Sequence, residues 1–316
     1  MRHLVPKDVP VREVFSYLLG GVAPRPIALV STLSADGIPN LSPFSFFNAF
    51  GANPPMITFA PSRRGRDASM KDTYHNLMTT KECVVQCVTY DMVQQVNLAS
   101  TEYPPDVNEF VKSGLTPIPS DIVKPARVAE SPFQMECKMV EMKSYGNGPS
   151  SGNLAICEVL KFHIFETIFD NGTINPHKID LVARMGADFY CRASGNAVFV
   201  VQKPGEKISV GYDQIPEYIK KSNILTANNL GQLGLIENIP SDADVDKLVD
   251  ELVDEKSKPT GDYARTLADA INLNNNSEQI EQAIKRALEQ NDLEFAWKAV
   301  ILRGRSETKH QKAARK

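Results

Sequence analysis

The chain has 316 residues, 42% of them apolar and 23% charged, with a formal net charge of −3. This length and balance fit a soluble globular chain of one large domain or two ordinary ones, and they exclude a disordered or fibrous chain. The slightly negative charge argues against a dedicated nucleic-acid binder, and five cysteines without a C-x-x-C pair argue against a disulfide framework or a zinc site.

Residues 1–10 contain no hydrophobic segment, and nowhere does the chain reach the apolar length that crosses a bilayer. A cytoplasmic protein with no membrane partner and no nucleic-acid partner is expected. Up to about residue 202 the sequence reads as strands with short helices between them. Residues 26–32 (PIALVST) and 56–60 (MITFA) are apolar runs bounded by Pro, Gly or Ser, the marks of buried strands. Residues 82–90, 133–142, 154–168 and 197–202 read the same way, and Asp36-Gly37 supplies the tip of a hairpin. On strand 82–90, Cys83 and Cys87 would share a face and pack as small hydrophobes. So many hydrophobic strands favour a closed or partly closed barrel, which leaves few edges unpaired. Helical insertions are expected at 69–80 and 92–100.

Residues 205–240 mix turns with short apolar pieces and read as a connecting segment. From Ser241 the period becomes helical: behind a Ser241 cap, Val245, Leu248, Val249, Leu252 and Val253 form one apolar face. Further helices are expected at 263–271 and 277–290, separated by the polar run 274–276, with Ile280, Ala283, Ile284, Ala287 and Leu288 as a buried stripe. The Asp-rich stretch 241–255 reads as an acidic helix face and the Lys/Arg-rich stretch 303–316 as a solvated tail. The expected organisation is therefore a domain at 1–204, a connector at 205–240 and a helical region at 241–316. The fold class is mainly β with helical additions, a β-barrel followed by a C-terminal helical extension.

The densest site signal lies between residues 25 and 76. In NLSPFSFFN (40–48), Pro43 removes a ladder donor, and Ser42 and Ser45 set hydroxyls beside Phe44, Phe46 and Phe47. Such a segment suits a flat amphipathic ligand, or else is a bulged core strand whose phenylalanines fill the barrel. PSRRGRDASMKDTYHN (61–76) gathers Ser62, Arg63, Arg64, Arg66 and Lys71 before Thr73, and Ser69 and Asp72 stand at capping-box spacing. A helix start with cations beside it binds anions; the plainer reading is a solvated basic loop that Ser69 caps. In IDLVARMGADFY (179–190), Arg184 requires a partner, Asp180, Asp188 or a ligand, and Gly186 allows a turn before Tyr190. His163 and His177 stand isolated in sequence, read as structural or surface residues, and no metal site is expected.

The succession RPIALVST (25–32), DGIPNLSPFSFFN (36–48), NPP (53–55) and KDTYHNL (71–77), followed by VARMGADFY (182–190), resembles the flavin reductase-like family of FMN-binding split β-barrels, which includes flavoredoxin. The resemblance covers roughly the first two thirds of the chain and rests on the order of several motifs. It implies a homodimer with one FMN per subunit near the subunit interface. The flavin ring would lie against Ser42, Pro43, Phe44, Ser45, Phe47 and Asn48, and the phosphate near Ser62, Arg63, Arg66, Lys71, Asp72 and Thr73. Arg184 completes the expected cofactor-binding set. An NAD(P)H-dependent flavin reductase, with NADH or NADPH as electron donor, is the expected function. Hydride transfer to a flavin needs stacked rings and positioned donors, so no catalytic acid or base is assigned. The alternatives are a flavoredoxin-like electron carrier, reduced by a partner protein and passing electrons to an acceptor protein, and a flavin-free interaction module.

Overall fold

The computed structural model describes residues 1–206, 208–254, 261–273 and 276–313. Among the described residues no helix is long and apolar enough to cross a membrane. The chain divides into two compact units, Met1–Val200 and Val201–Lys316.

The first unit opens with helix α1 (Val11–Gly21), which the sequence reading did not anticipate. Strands β1 (Arg25–Pro26) and β2 (Ala28–Leu33) follow, and β2 is buried almost end to end, which explains its unbroken apolar run. A tight turn leads to β3 (Pro39–Phe44); its tip holds Gly37 at φ +80°, and the Ser34 hydroxyl accepts from the N–H groups of Asp36 and Ile38. Only Ser45 and Phe46 separate β3 from β4 (Phe47–Ala52), after which comes β5 (Pro55–Phe59). The segment 40–48 is thus two strands joined at a corner, not one bulged strand.

Helix α2 (Asp72–Thr80) feeds β6 (Glu82–Gln86). Helices α3 (Val93–Leu98) and α4 (Glu109–Ser113) follow, then the short ladder of β7 (Pro117–Ile118) with β8 (Arg127–Val128). A long hairpin, β9 (Phe133–Tyr145) and β10 (Gly152–Ile164), supplies the middle of the sheet. After it come β11 (Phe169–Asp170), β12 (Thr173–Ile174), helix α5 (Pro176–Ile179), β13 (Val182–Arg184) and β14 (Tyr190–Arg192).

The main sheet has seven antiparallel strands in the order β3-β2-β6-β9-β10-β5-β4. Laid flat at about 4.8 Å per strand, its two edges would lie about 29 Å apart. The two-residue link between the edge strands β3 and β4 spans at most about 11 Å. The sheet therefore curls until its edges meet, and the Ala60 N–H donates to the Phe46 carbonyl beside the seam at 2.9 Å. The result is a split barrel. The period of two along β2 then feeds two cores: Ala28 and Val30 join Phe44, Phe59 and Leu77 inside, while Leu29 joins Leu41, Met92 and Val96 under α3. A second small sheet, β1-β13-β14, stands beside the barrel.

Three strand expectations shift. The strand expected at 82–90 stops at Gln86, so Cys83 is buried in the barrel beside Cys137 and Cys157, whereas Cys87 lies beyond the strand, half-buried, with its sulfur 3.5 Å from the Ser131 hydroxyl. The strand expected at 154–168 begins at Gly152 and ends at Ile164. At 197–202 there is no strand: a 3-10 turn at Gly195–Ala197 gives way to exposed Phe199, Val200 and Val201, whose apolar run has nothing to pair with.

The second unit holds α6 (Glu217–Lys220), α7 (Ala227–Leu233), α8 (Asp242–Val253), α9 (Asp262–Asn272), α10 (Ser277–Glu289) and α11 (Leu293–Ala313). Ser241 caps α8 as expected, accepting from the Asp244 N–H while the Asp244 carboxylate accepts from the Ser241 N–H. Val245 and Leu252 are buried, but Val253 is half exposed, so the apolar face ends one residue early. Ile215, Ile219, Leu230 and Leu233 pack in the same core as the α9, α10 and α11 stripes, and Trp297 there donates to the Leu233 carbonyl at 2.7 Å. Much of the expected connector at 205–240 is thus part of this core. The charge-rich stretches also find each other: Arg305 pairs with Asp242 at 2.6 Å and with Asp246, and Arg303 pairs with Glu281 at 3.2 Å. Arg303 and Arg305 therefore belong to α11 rather than to a solvated tail. Asn274 and Asn275 of the expected polar run lie outside the described residues, as do residues 314–316; Asn276 caps α10.

Candidate functional site

Helix α2 begins at Asp72 with Lys71 as its N-cap residue, and no side chain caps it. The capping box expected from Ser69 and Asp72 does not form. Ser69 instead donates through both its N–H and its hydroxyl to Asp67, at 2.9 and 2.6 Å, because a carboxylate two residues back competes successfully for it. The Tyr74 N–H donates to the Lys71 carbonyl at 2.9 Å, while among the described residues the Asp72 and Thr73 N–H groups have no acceptor, which leaves the positive end of the α2 dipole open.

A small pocket at this helix start is lined by Asn40, Ser42, Arg64, Lys71 and Thr73, with the carboxylates of Asp72, Glu102 and Glu109 also on its wall. Arg64 answers two of those acids, Asp72 at 3.1 Å and Glu102 at 3.7 Å. Glu109 is buried and accepts from the Leu41 N–H at 3.1 Å; burial raises its pKa. Thr73 is buried, and its hydroxyl accepts from the Asn40 amide at 3.0 Å, so its own proton remains to be donated. Lys71 differs from its neighbours. Burial foremost, and then Arg64, lower its pKa, with Glu102 and Asp72 opposing; its ammonium sits 5.8 Å from the centre of the Phe44 ring, and among the described residues it makes no ion pair. A desolvated cation, a hydroxyl with its proton to donate and open helix N–H groups are the donor chemistry of a phosphate site, in a cavity of about 20 Å³ that would have to open to take one.

The structure divides the remaining expected residues. Ser42, Lys71, Asp72 and Thr73 come together in the pocket. Phe44 is buried against Phe59, ring centres 5.5 Å apart, and fills the barrel, as the plainer structural reading of that segment had it. Ser45 is half-buried near Arg25, and Pro43 stands on β3 opposite Leu29. Phe47 lines a separate apolar cavity of about 540 Å³ with Phe133 and Met135. Asn48 is exposed and its amide oxygen accepts from the Ala49 N–H. Ser62 is half-buried in the loop before α2. Arg63 donates to the Ala68 carbonyl, holding that loop, while Arg66 is 76% exposed between Asp67 and Glu102 and does not line the pocket.

Arg184 lies elsewhere, in a cleft of about 430 Å³ between α3 and the β13–β14 hairpin, its guanidinium 4.5 Å from the centre of the Tyr190 ring. Neither Asp180 nor Asp188 pairs with it; Asp180 is taken by Arg192 through two bonds of 2.7 Å. The turn at Gly186 has its own reason: a Cβ there would stand 3.1 Å from the Gly20 backbone of α1. Sequence reasoning named Arg64 in the basic run but did not choose it among the arginines, and it assigned no role to Arg25 or Asn40. Arg25 donates to the carbonyls of Leu19, Val22 and Met185 and lies 5.7 Å from the centre of the Phe46 ring.

His163 is not isolated. Its Nε2 lies 2.6 Å from the buried Glu136 carboxylate, which also accepts from the N–H groups of Asp121, Ile122 and Val123. Burial would raise the Glu136 pKa, but these bonds outweigh it and hold the value at about 2. Asp121 completes a group whose ligand atoms lie within 4.8 Å of one another, and Lys161 already occupies it at 2.5 Å. The cluster reads as the tie between β9, β10 and the loop at 121–123.

A seven-stranded antiparallel sheet curled into a split barrel, with Lys71 and Thr73 gathered at the start of α2, defines a split-barrel class of protein. Residues 20–177 match the family model of the flavin reductase like domain, and the chain belongs to that family. An uncharacterized protein of Aquifex aeolicus is 37% identical over 192 residues, which are 60% of this chain and 95% of the relative. The crystal structure of nitrilotriacetate monooxygenase component B from Bacillus cereus is 28% identical, with a TM-score of 0.58, over 61% of this chain and 95% of that one. The 2-nitrobenzoate 2-nitroreductase NbaA of Pseudomonas fluorescens shares the fold, at 24% identity and a TM-score of 0.56, over 64% of this chain and 96% of that one. The family match ends before the motif at 182–190 and does not include the second unit.

Proposed function

We propose that the protein is an FMN-dependent oxidoreductase that takes electrons from NADH or NADPH and works as a homodimer. The observation that carries this reading, within a flavin reductase like domain, is the pocket where Lys71 and Thr73 meet the uncapped start of α2. Bound there, FMN supplies the redox-active ring that accepts a hydride and passes electrons on. The chain's own residues bind and orient. Lys71 and Thr73 would hold the phosphate, Arg64 pairs with Asp72 and shares Glu102 with Arg66, which weakens the repulsion of those acids, and Ser42 stands on β3 in the same pocket. Ser45, backed by Arg25, stands at the corner where the ring segment turns. The other loop residues, Ser62, Arg63 and Arg66, act by shaping the loop before α2. A homodimer would cover β4, where every residue from Asn48 to Ala52 is exposed, including Phe50 at 58%.

The test is steady-state oxidation of NADH and NADPH by the purified protein with and without added FMN. Turnover that needs FMN is the expected result. FMN uptake without any nicotinamide oxidation would instead favour an electron carrier reduced by a partner protein.

A further inference from the structure

The cleft between α3 and the β13–β14 hairpin is distinct from the pocket at the start of α2, and three observations describe what it would take. First, its cation is uncompensated. Arg184 lines the cleft, rests on the Tyr190 ring and makes no ion pair among the described residues, while the one acid beside the hairpin that pairs with an arginine, Asp180, is engaged by Arg192. A second cation stands behind it: Arg25, opposite Arg184 in the β1–β13 ladder, is bonded only to carbonyl and hydroxyl oxygens. Arg25 and Arg184 pair with no carboxylate among the described residues, and Asp188 is the single unpaired acid lining the cleft, so these side chains leave one positive charge that a ligand anion would answer.

Second, the cleft offers flat surfaces. The Arg192 guanidinium lies 3.8 Å from the centre of the Tyr90 ring, so the neutralised Arg192–Asp180 pair and the exposed Tyr90 form a stacked platform, and the exposed Tyr190 forms another. Planar guanidinium and aromatic faces of this kind stack on heteroaromatic bases. Third, Asp188 lines the same cleft and among the described residues makes no ion pair, which suits it to accept from sugar hydroxyls. The volume, about 430 Å³, lies within the range of about 300–1,000 Å³ that takes ligands of this size.

An anion beside a hydroxyl-bearing sugar and a planar base is the composition of a nucleotide. We propose that this cleft binds the ADP-ribose portion of the nicotinamide dinucleotide, with Arg184 on the pyrophosphate, the Tyr90–Arg192 platform under the base and Asp188 on a ribose. The proposal rests on the reading of the protein as an NAD(P)H-using flavoprotein and names the site of that donor. It reassigns Arg184 from the flavin to the electron donor.

The experiment titrates ADP-ribose, which cannot transfer a hydride, into the FMN-loaded full chain by calorimetry, in parallel with NADH and NADPH oxidation. Binding to the FMN-loaded wild type is expected, weakened about ten- to a hundredfold in Arg184→Gln at unchanged flavin content, with KM for the dinucleotide rising in step while kcat holds. Tyr90→Leu, which removes only the platform, is expected to weaken ADP-ribose without altering FMN retention. Nicotinamide oxidation by a wild type that does not bind ADP-ribose, or equal binding by wild type and Arg184→Gln, would overturn the site while leaving the flavin reductase reading intact. Competition between FMN and ADP-ribose would also overturn it, by placing the flavin itself in the cleft. Absence of nicotinamide oxidation in the wild type would sink both.

Discussion

Lys71 holds its charge half out of water with no carboxylate paired to it among the described residues, so its removal discriminates between ligands that do and do not bring an anion. Lys71→Ala and Thr73→Ala are each expected to weaken FMN by about 1.5–3 kcal/mol, one to two decades, and to leave riboflavin nearly unchanged. Parallel fluorescence titrations check this; equal losses for both ligands would remove the phosphate from the start of α2. A second residue-scale prediction concerns Glu136. Its pKa is lowered from 4.5 to about 2, so the carboxylate contributes stability that is fully present above about pH 4.5 and is lost as pH falls through about 2. Glu136→Gln should cost roughly 3 kcal/mol at neutral pH, and the gap to wild type should shrink between those two pH values in urea titrations. A gap that does not change with pH would show that the carboxylate's charge is not what binds the loop. The sequence made Ser42, Lys71, Asp72 and Thr73 legible because their motifs are contiguous or keep a recognisable order. It hid the role of Asn40 and could not choose Arg64 among the arginines of its run, because both roles depend on contacts across the fold, and it misled at Ser69, where the nearer Asp67 outcompeted the helix.

At the scale of elements, the hydrophobic period found most of the barrel strands and the three helices α8, α9 and α10, because a buried face leaves a period of 2 or 3.6. It missed α1 and, within the helical region expected at 241–316, did not delimit α11. The first has no buried residue to announce itself, and the basic composition of the second masked a helix whose Arg303 and Arg305 are spent on acidic partners far away in the sequence. In 40–48 Pro43 signalled the break in the ladder, but periodicity does not show that the corner carries the chain from one sheet edge to the other. Gly186 was legible as a turn residue, but its close approach to Gly20 was not. Because the neighbour at 3.1 Å is backbone and cannot swing aside, Gly186→Ala should displace α1 from the β13–β14 hairpin and destabilise the first unit by about 1–3 kcal/mol. An unchanged urea midpoint would show that α1 yields freely at this point.

Each of the two units has its own hydrophobic core: barrel and α3 clusters in Met1–Val200, and one helical cluster in Val201–Lys316. A chain ending at Val200 is therefore expected to fold and to bind FMN as tightly as the full chain, by the same titration; loss of FMN from a folded barrel would assign the helical unit a part in the flavin site. The helical unit's start was set at 241 because the turns at 205–240 conceal Ile215, Ile219, Leu230 and Leu233, whose partners are helices dozens of residues further on. The account as a whole stands on flavin binding, and the absorption spectrum of the full chain after saturation with FMN and desalting tests it most directly. The account predicts retained flavin bands and one FMN released per chain on denaturation, whereas a colourless protein that takes up no FMN would contradict it.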